Sequence, residues 1–211
     1  MSKVDELANA VIKGKAKLVV GLVKEALDEG NAPLDILNDG MIGAMGVVGE
    51  RFKNGELFVP EMLVAARAMK KGVEALKPSL KGEDTVSAGK YIIGTVAGDL
   101  HDIGKNLVAM MIESAGFEVI DLGVDVPPAK FVEAIKANPD CKLVGLSALL
   151  TTTMPAMKDT VAAITEAGCR SQVKIMVGGA PITQAFCDEI GADAYTADAA
   201  SASSVAKELV A

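Results

Sequence analysis

The sequence predicts a helical bundle followed by a doubly wound parallel β-sheet, and three observations carry that prediction. Apolar residues recur at helical spacing as far as about Lys77. The segment 78–89, PSLKGEDTVSAG, is polar and holds Gly, Ser and Pro. After it, five short β-rich runs each lead into a helical segment. The expected organisation is a four-helix domain over 1–80, a linker over 81–89 and an α/β domain over 90–211.

In the first domain a short helix is expected near 4–13 and a second over 15–29. In the third helix Leu34, Leu37, Met41, Met45, Val48 and Phe52 follow steps of three and four; in the fourth Met62, Ala65, Met69, Val73 and Leu76 do the same. Gly30 and Gly55 read as stops, and Pro33 and Pro60 fall where a first turn accepts proline. Short loops between such helices give an antiparallel bundle. The third helix also carries Gly40, Gly43, Gly46 and Gly49, although an interior glycine costs about 0.8–1 kcal/mol against alanine. Close approach of a neighbouring helix would offset that, and so would a broad, flat ligand lying nearby; the first needs only a helix partner.

Beyond the linker, YIIGTV precedes a helix over 103–114, EVIDLG one over 128–137, and KLVGLS one over 154–167. VKIMVGG precedes a helix over 181–190, and DAYT one over 201–210. The runs are continuously apolar rather than alternating, which marks a parallel sheet covered on both faces. Five such β-then-α units predict a Rossmann-like, flavodoxin-like sheet in the order 2-1-3-4-5. Its ligand crevice lies outside the carboxyl ends of the strands, where strands 1 and 3 diverge.

Composition narrows the function classes. Half of the 211 residues are apolar, so a sizeable core can be buried, and a net charge of −7 gives no basic footprint for nucleic acid or for an anionic membrane surface. Cys141, Cys169 and Cys187 are far apart and form no C-x-x-C pair, so they read as small buried hydrophobes in a reducing compartment. The first ten residues, MSKVDELANA, carry charges where a signal peptide needs an apolar run, and no apolar stretch reaches spanning length. The expected location is the cytoplasm.

The chemistry gathers at GDLHDIGKN, residues 98–106, which holds the chain's single histidine. The strand order brings His101 to the same mouth as Ser147, Thr151, Thr152 and Thr153 after the third strand. Gly98 and Gly104 do not have the spacing of a P-loop, no G-x-G-x-x-G follows the first strand, and no G-x-S-x-G nucleophile elbow occurs. A phosphoacceptor receiver shares the strand order but leaves the histidine and the bundle unexplained. Zinc needs three or four protein ligands. What is left is a histidine that gives one ligand to a metal whose other positions belong to its own cofactor. Asp99, two residues before it on extended chain, can accept one imidazole N–H and turn the other nitrogen toward that metal. Taken alone, His101 is more simply a hydrogen-bonded loop histidine, and Asp102 reads as the N-cap of the helix that starts at Ile103.

In combination, D-x-H-x-x-G as Asp99, His101 and Gly104, S-x-L as Ser147 and Leu149, and the glycine pair Gly178 and Gly179 resemble the cobalamin-binding module of corrinoid-dependent methyltransferases. GELFVPEMLVAARAM, residues 55–69, is similar to the helical cap that precedes that module, so the resemblance covers nearly the whole chain. It implies a cobalamin or related corrinoid held base-off, with His101 as the lower cobalt ligand and Asp99 as its hydrogen-bond partner. It implies further that Gly104 admits the nucleotide tail, that Ser147, Leu149 and Thr151 line its path, and that Gly178 and Gly179 leave it room. Thr153 stands where methionine synthase-like relatives carry the serine that completes the ligand relay. Phe58, Met62 and Leu63 become candidates to cover the upper cobalt face.

No folate barrel or homocysteine zinc site is expected alongside the two domains, so the resemblance is to the small corrinoid proteins of anaerobic one-carbon metabolism. These are carrier subunits rather than complete enzymes. They take a methyl group from a substrate-specific methyltransferase and deliver it to a second, methylcobamide-dependent methyltransferase that passes it to coenzyme M or tetrahydrofolate; a reductive activation protein is the third partner. A corrinoid-responsive sensor or regulator, or the cobalamin subunit of a mutase, is the alternative.

Overall fold

A computed structural model of the chain describes residues 2–80 and 88–211, so most of the expected linker, 81–87, lies outside the described residues. The chain divides into two compact units, one of helices and one built on the sheet.

The helical unit contains α1 (Lys3–Ile12), α2 (Ala16–Asp28), a long helical run over 33–53, and α5 (Val59–Leu76). Its starts and stops follow from local chemistry. Ser2 caps α1 by accepting the Asp5 N–H at 3.1 Å, while the Asp5 carboxylate accepts the Ser2 N–H at 2.9 Å. Gly30 and Gly55 end their helices with φ of 86° and 74°, a left-handed turn that costs glycine least. Pro33 opens the long run, Pro60 lies in the first turn of α5, and Glu61 reaches back to the Phe58 N–H at 2.8 Å.

The long run departs from the expected regular helix. It begins as α3 (Pro33–Asp35), widens into a π-helical segment over Ile36–Ile42, and resumes as α4 (Gly43–Lys53). The wider turn moves the buried stripe. Ile36, Gly40, Met41, Ala44, Met45 and Val48 face inward, whereas Leu34 and Leu37 are only half-buried. A step of four between Leu37 and Met41 fits α and π winding alike, so spacing alone could not reveal it. Gly40 packs beneath Leu7 of α1, where an added Cβ would lie 2.9 Å from Leu Cδ2, while a Cβ on Gly46 would meet nothing within 4 Å. Close helix packing therefore accounts for Gly40 but not for Gly46. Met62 is fully buried in the bundle core, which removes it from the candidates for covering a ligand; Phe58 and Leu63 are exposed.

The second unit is a five-stranded, all-parallel sheet in the order β2-β1-β3-β4-β5, as its sequence predicts. Its elements are β1 (Lys90–Thr95), α6 (Ile103–Ser114), β2 (Glu118–Asp121), α7 (Pro128–Ala137), β3 (Leu143–Ser147), α8 (Met154–Glu166), β4 (Lys174–Gly178), α9 (Gln184–Ile190), β5 (Ala194–Tyr195) and α10 (Ala199–Val210). Ile92, Val144, Leu146, Ile175 and Val177 meet Phe131, Ile135, Met157 and Ile164 in one apolar core. Lys105, in the first turn of α6, is buried and pairs with Asp121 at the end of β2, while Asn106 accepts a second bond from it at 2.7 Å. That ion pair ties the start of α6 to the end of β2.

Candidate functional site

The loop after β1 carries the site. Its backbone is pinned at several points: the Val96 N–H donates to Ser147 at 3.0 Å, the Asp99 N–H to Val96 at 3.1 Å, and the Thr95 hydroxyl to the His101 carbonyl at 2.8 Å. These bonds sink the Asp99 side chain completely, at 0% exposure, while the His101 side chain two residues on keeps 49% of its surface. One residue is thus fixed inside the protein and the other held at its edge.

Asp99 is a buried carboxylate surrounded by donors. Its Oδ1 accepts the His101 backbone N–H at 3.1 Å and lies 2.7 Å from His101 Nδ1. Its Oδ2 accepts the Leu149 N–H at 2.8 Å and the Leu150 N–H at 3.4 Å, and lies 2.8 Å from Thr153 Oγ1. Burial alone pushes the carboxyl pKa up, but the Leu149 amide, the His101 ring and amide, and the Thr153 hydroxyl outweigh it and hold the group well below the ordinary carboxylate range. Asp99 is therefore ionised and can only accept, so the proton on the short contact belongs to His101 Nδ1. In the neutral imidazole this tautomer leaves Nε2, on the far side of the ring from Asp99, as the nitrogen that can bind an electrophile or a metal.

Thr153 closes the relay on the inner side. It is buried, and its Oγ1 lies 2.8 Å from Asp99 and 2.9 Å from the Leu150 carbonyl, so its single proton serves one acceptor at a time. Of the three threonines in the turn after β3, Thr153 is the one on Asp99, whereas Thr151 and Thr152 are exposed. Ser147 ends β3 in register with Thr95 on one side and Gly178 on the other. An added Cβ on Gly179, with φ 129°, would overlap the Ala148 carbonyl oxygen, so that glycine is required by the protein's own backbone. Gly104 differs, since a Cβ there would meet nothing within 4 Å and the space beside it is open. Asp102 stands at the start of α6, where its carbonyl accepts the Asn106 N–H at 2.7 Å and its carboxylate the Asn106 side-chain amide at 3.2 Å.

Three contributors escape sequence reasoning. The Leu149 and Leu150 amides are backbone donors, which no side-chain motif advertises. Asp125, beyond β2, accepts the Gly98 N–H at 2.7 Å and donates its own N–H to the Asp99 carbonyl at 2.9 Å. The rim is apolar as well: among the described residues of the sheet unit the exposed large hydrophobic side chains are Leu100, Leu149 and Leu150, on the two loops around Asp99, and Ile103, the first residue of α6. Among the described residues no group of three or more His, Cys, Asp or Glu is placed to hold a metal ion. One imidazole nitrogen inside an apolar rim suits a metal that brings its remaining ligands in a large, largely apolar ring.

A doubly wound sheet that presents one carboxylate-backed imidazole at its switch point, in a chain that also carries a helical unit, defines a class of cofactor-binding proteins. Comparison with known proteins specifies the class further. Residues 89–204 match a B12 binding domain family and residues 4–77 a second B12 binding domain family. The chain is 48% identical to dimethylamine corrinoid protein 1 of Methanosarcina acetivorans, over 98% of its own length and 96% of the relative's. Among solved structures, a cobalamin-binding protein from Desulfitobacterium hafniense is 32% identical with a TM-score of 0.84, covering 99% of this chain and 98% of the other. The methanol:cobalamin methyltransferase complex of Methanosarcina barkeri matches at 30% identity and a TM-score of 0.87, covering 99% of this chain and 79% of the matched one. The chain belongs to the B12-binding corrinoid protein family.

Proposed function

We propose that the chain is a methyl carrier: it holds a corrinoid, receives a methyl group on the cobalt from a substrate-specific methyltransferase, and delivers it to a second methyltransferase acting on coenzyme M or tetrahydrofolate. The observation that carries this reading is the His101–Asp99–Thr153 relay, with Nε2 directed away from an ionised carboxylate at the mouth of the sheet. A bound corrinoid supplies the metal that takes up and releases the methyl group. The chain's residues hold and orient it. His101 would bind the cobalt through Nε2, with Asp99 holding the Nδ1 proton in place and Thr153 and the Leu149 amide keeping Asp99 ionised. Gly104 would leave room for the nucleotide tail, and Ser147, Leu149, Thr151, Gly178 and Gly179 would line its path.

The similarity to dimethylamine corrinoid proteins supports a methylamine as the methyl source, with dimethylamine the first to be tried. A carrier of this kind works in the cytoplasm and needs a reductive activation protein to return cobalt to its reactive state. No helix among the described residues is long and apolar enough to cross a membrane.

Because His101 is the chain's only histidine, nitrogen-15 histidine labels one position. The protein is loaded with cobalamin, reduced to Co(II), and examined by electron paramagnetic resonance. Labelling is expected to change the nitrogen splitting of the cobalt signal, and His101→Ala to abolish it. A splitting indifferent to both rules out His101 as the ligand.

A further inference from the structure

Asp125 is the single described residue other than glycine with a positive φ, at 52°. A left-handed backbone disfavours most side chains and persists where the surroundings fix it. Here the surroundings are the loop that carries Asp99 and His101. The left-handed turn lets Asp125 face that loop with two groups together: its carboxylate accepts the Gly98 N–H at 2.7 Å, and its N–H reaches the Asp99 carbonyl at 2.9 Å. The next residue continues the seam, since Val126 bridges Val96 in parallel and donates its N–H to the Thr95 carbonyl at 2.9 Å.

Two different elements therefore anchor Asp99. The turn after β3 grips its carboxylate through Leu149, Leu150 and Thr153, and the segment after β2 grips its backbone through Asp125. The Asp99 N–H on Val96 and the Thr95 hydroxyl on the His101 carbonyl tie the loop to β1 itself; the Gly98 N–H and the Asp99 carbonyl, between those two ties, are held from outside by Asp125. From this arrangement we infer that Asp125 is a positioning residue for the histidine ligand: through Gly98 and Asp99 it fixes how far and at what angle His101 reaches for the metal. The inference rests on the proposed role of His101. It adds a residue from a third loop, whose hydrogen bonds go to Gly98 and Asp99.

Two substitutions separate the side chain from the backbone. Asp125→Gly keeps the left-handed turn and removes the acceptor, while Asp125→Asn keeps both the turn and an Oδ1 acceptor. In the cofactor-free protein, hydrogen exchange at the Gly98 amide is expected to rise about tenfold in Asp125→Gly and to stay near wild type in Asp125→Asn. In the cobalamin-loaded protein, Asp125→Gly is expected to weaken corrinoid binding by about tenfold and to lower the fraction of cobalt showing His101 nitrogen splitting, with Asp125→Asn again near wild type. An unchanged Gly98 exchange rate, or an unchanged His101-ligated fraction, in Asp125→Gly overturns the inference. Wild type and His101→Ala measured side by side distinguish a failure of the ligand reading, which shows as identical spectra in those two proteins whatever Gly98 does.

Discussion

At the scale of the residue, a single carboxylate decides which imidazole nitrogen faces inward. Asp99 is fully buried and gathers bonds from two loops, so its removal leaves donors without an acceptor inside the protein. Asp99→Ala is expected to lower the stability of the cofactor-free protein by about 1–3 kcal/mol in urea unfolding, and to weaken corrinoid binding by about 10–100-fold in titration. Thr153 offers a finer test, because its hydroxyl and not its methyl group meets Asp99. Thr153→Ser is expected to bind corrinoid within about twofold of wild type, whereas Thr153→Val loses about tenfold. Much of this was legible in the sequence: a lone histidine two residues after an aspartate, and a hydroxyl run after the third strand, belong at one mouth once the sheet order is assigned. The Leu149 amide was not legible, because any residue supplies the same N–H. Asp125 was not legible either, since its left-handed φ leaves no mark in GVDVP.

At the scale of the element, caps and stops were readable and winding was not. The helix expected over 181–190 begins instead at Gln184, because Thr183 accepts the Phe186 N–H at 3.2 Å and so takes the N-cap. In the same way Asp198 accepts the Ser201 N–H at 2.8 Å and starts α10 two residues sooner than expected. Both Thr183 and Asp198 are ordinary N-cap residue types and were legible in the sequence as such. The π-helical turn over Ile36–Ile42 leaves no comparable mark. Glycines within or beside these elements call for opposite outcomes. Gly46→Ala is expected to raise the melting temperature, with a gain of up to about 1 kcal/mol, since its Cβ enters open space in a helix. Gly179→Ala is expected to lower stability by about 1–3 kcal/mol, since its Cβ would overlap a carbonyl oxygen at a backbone angle that alanine resists. Calorimetry of the two variants checks both signs.

At the scale of the whole molecule, folding and cofactor binding are linked. A ligand that binds only the folded chain stabilises it by about 2.7 kcal/mol at a hundredfold excess over its dissociation constant. Cobalamin is therefore expected to raise the melting temperature of the wild-type protein, and to raise that of His101→Ala by clearly less at the same concentration. The apolar rim of Leu100, Ile103, Leu149 and Leu150 has a consequence beyond the site itself. Water-averse side chains grouped on one edge tend to attract other such surfaces. Freshly synthesised chains awaiting their pigment would thus be the stickiest form of this protein, prone to clump and to take up fluorescent hydrophobic dyes. In a cell short of vitamin, scarcity would reduce the soluble pool of the carrier as well as its charge of methyl groups.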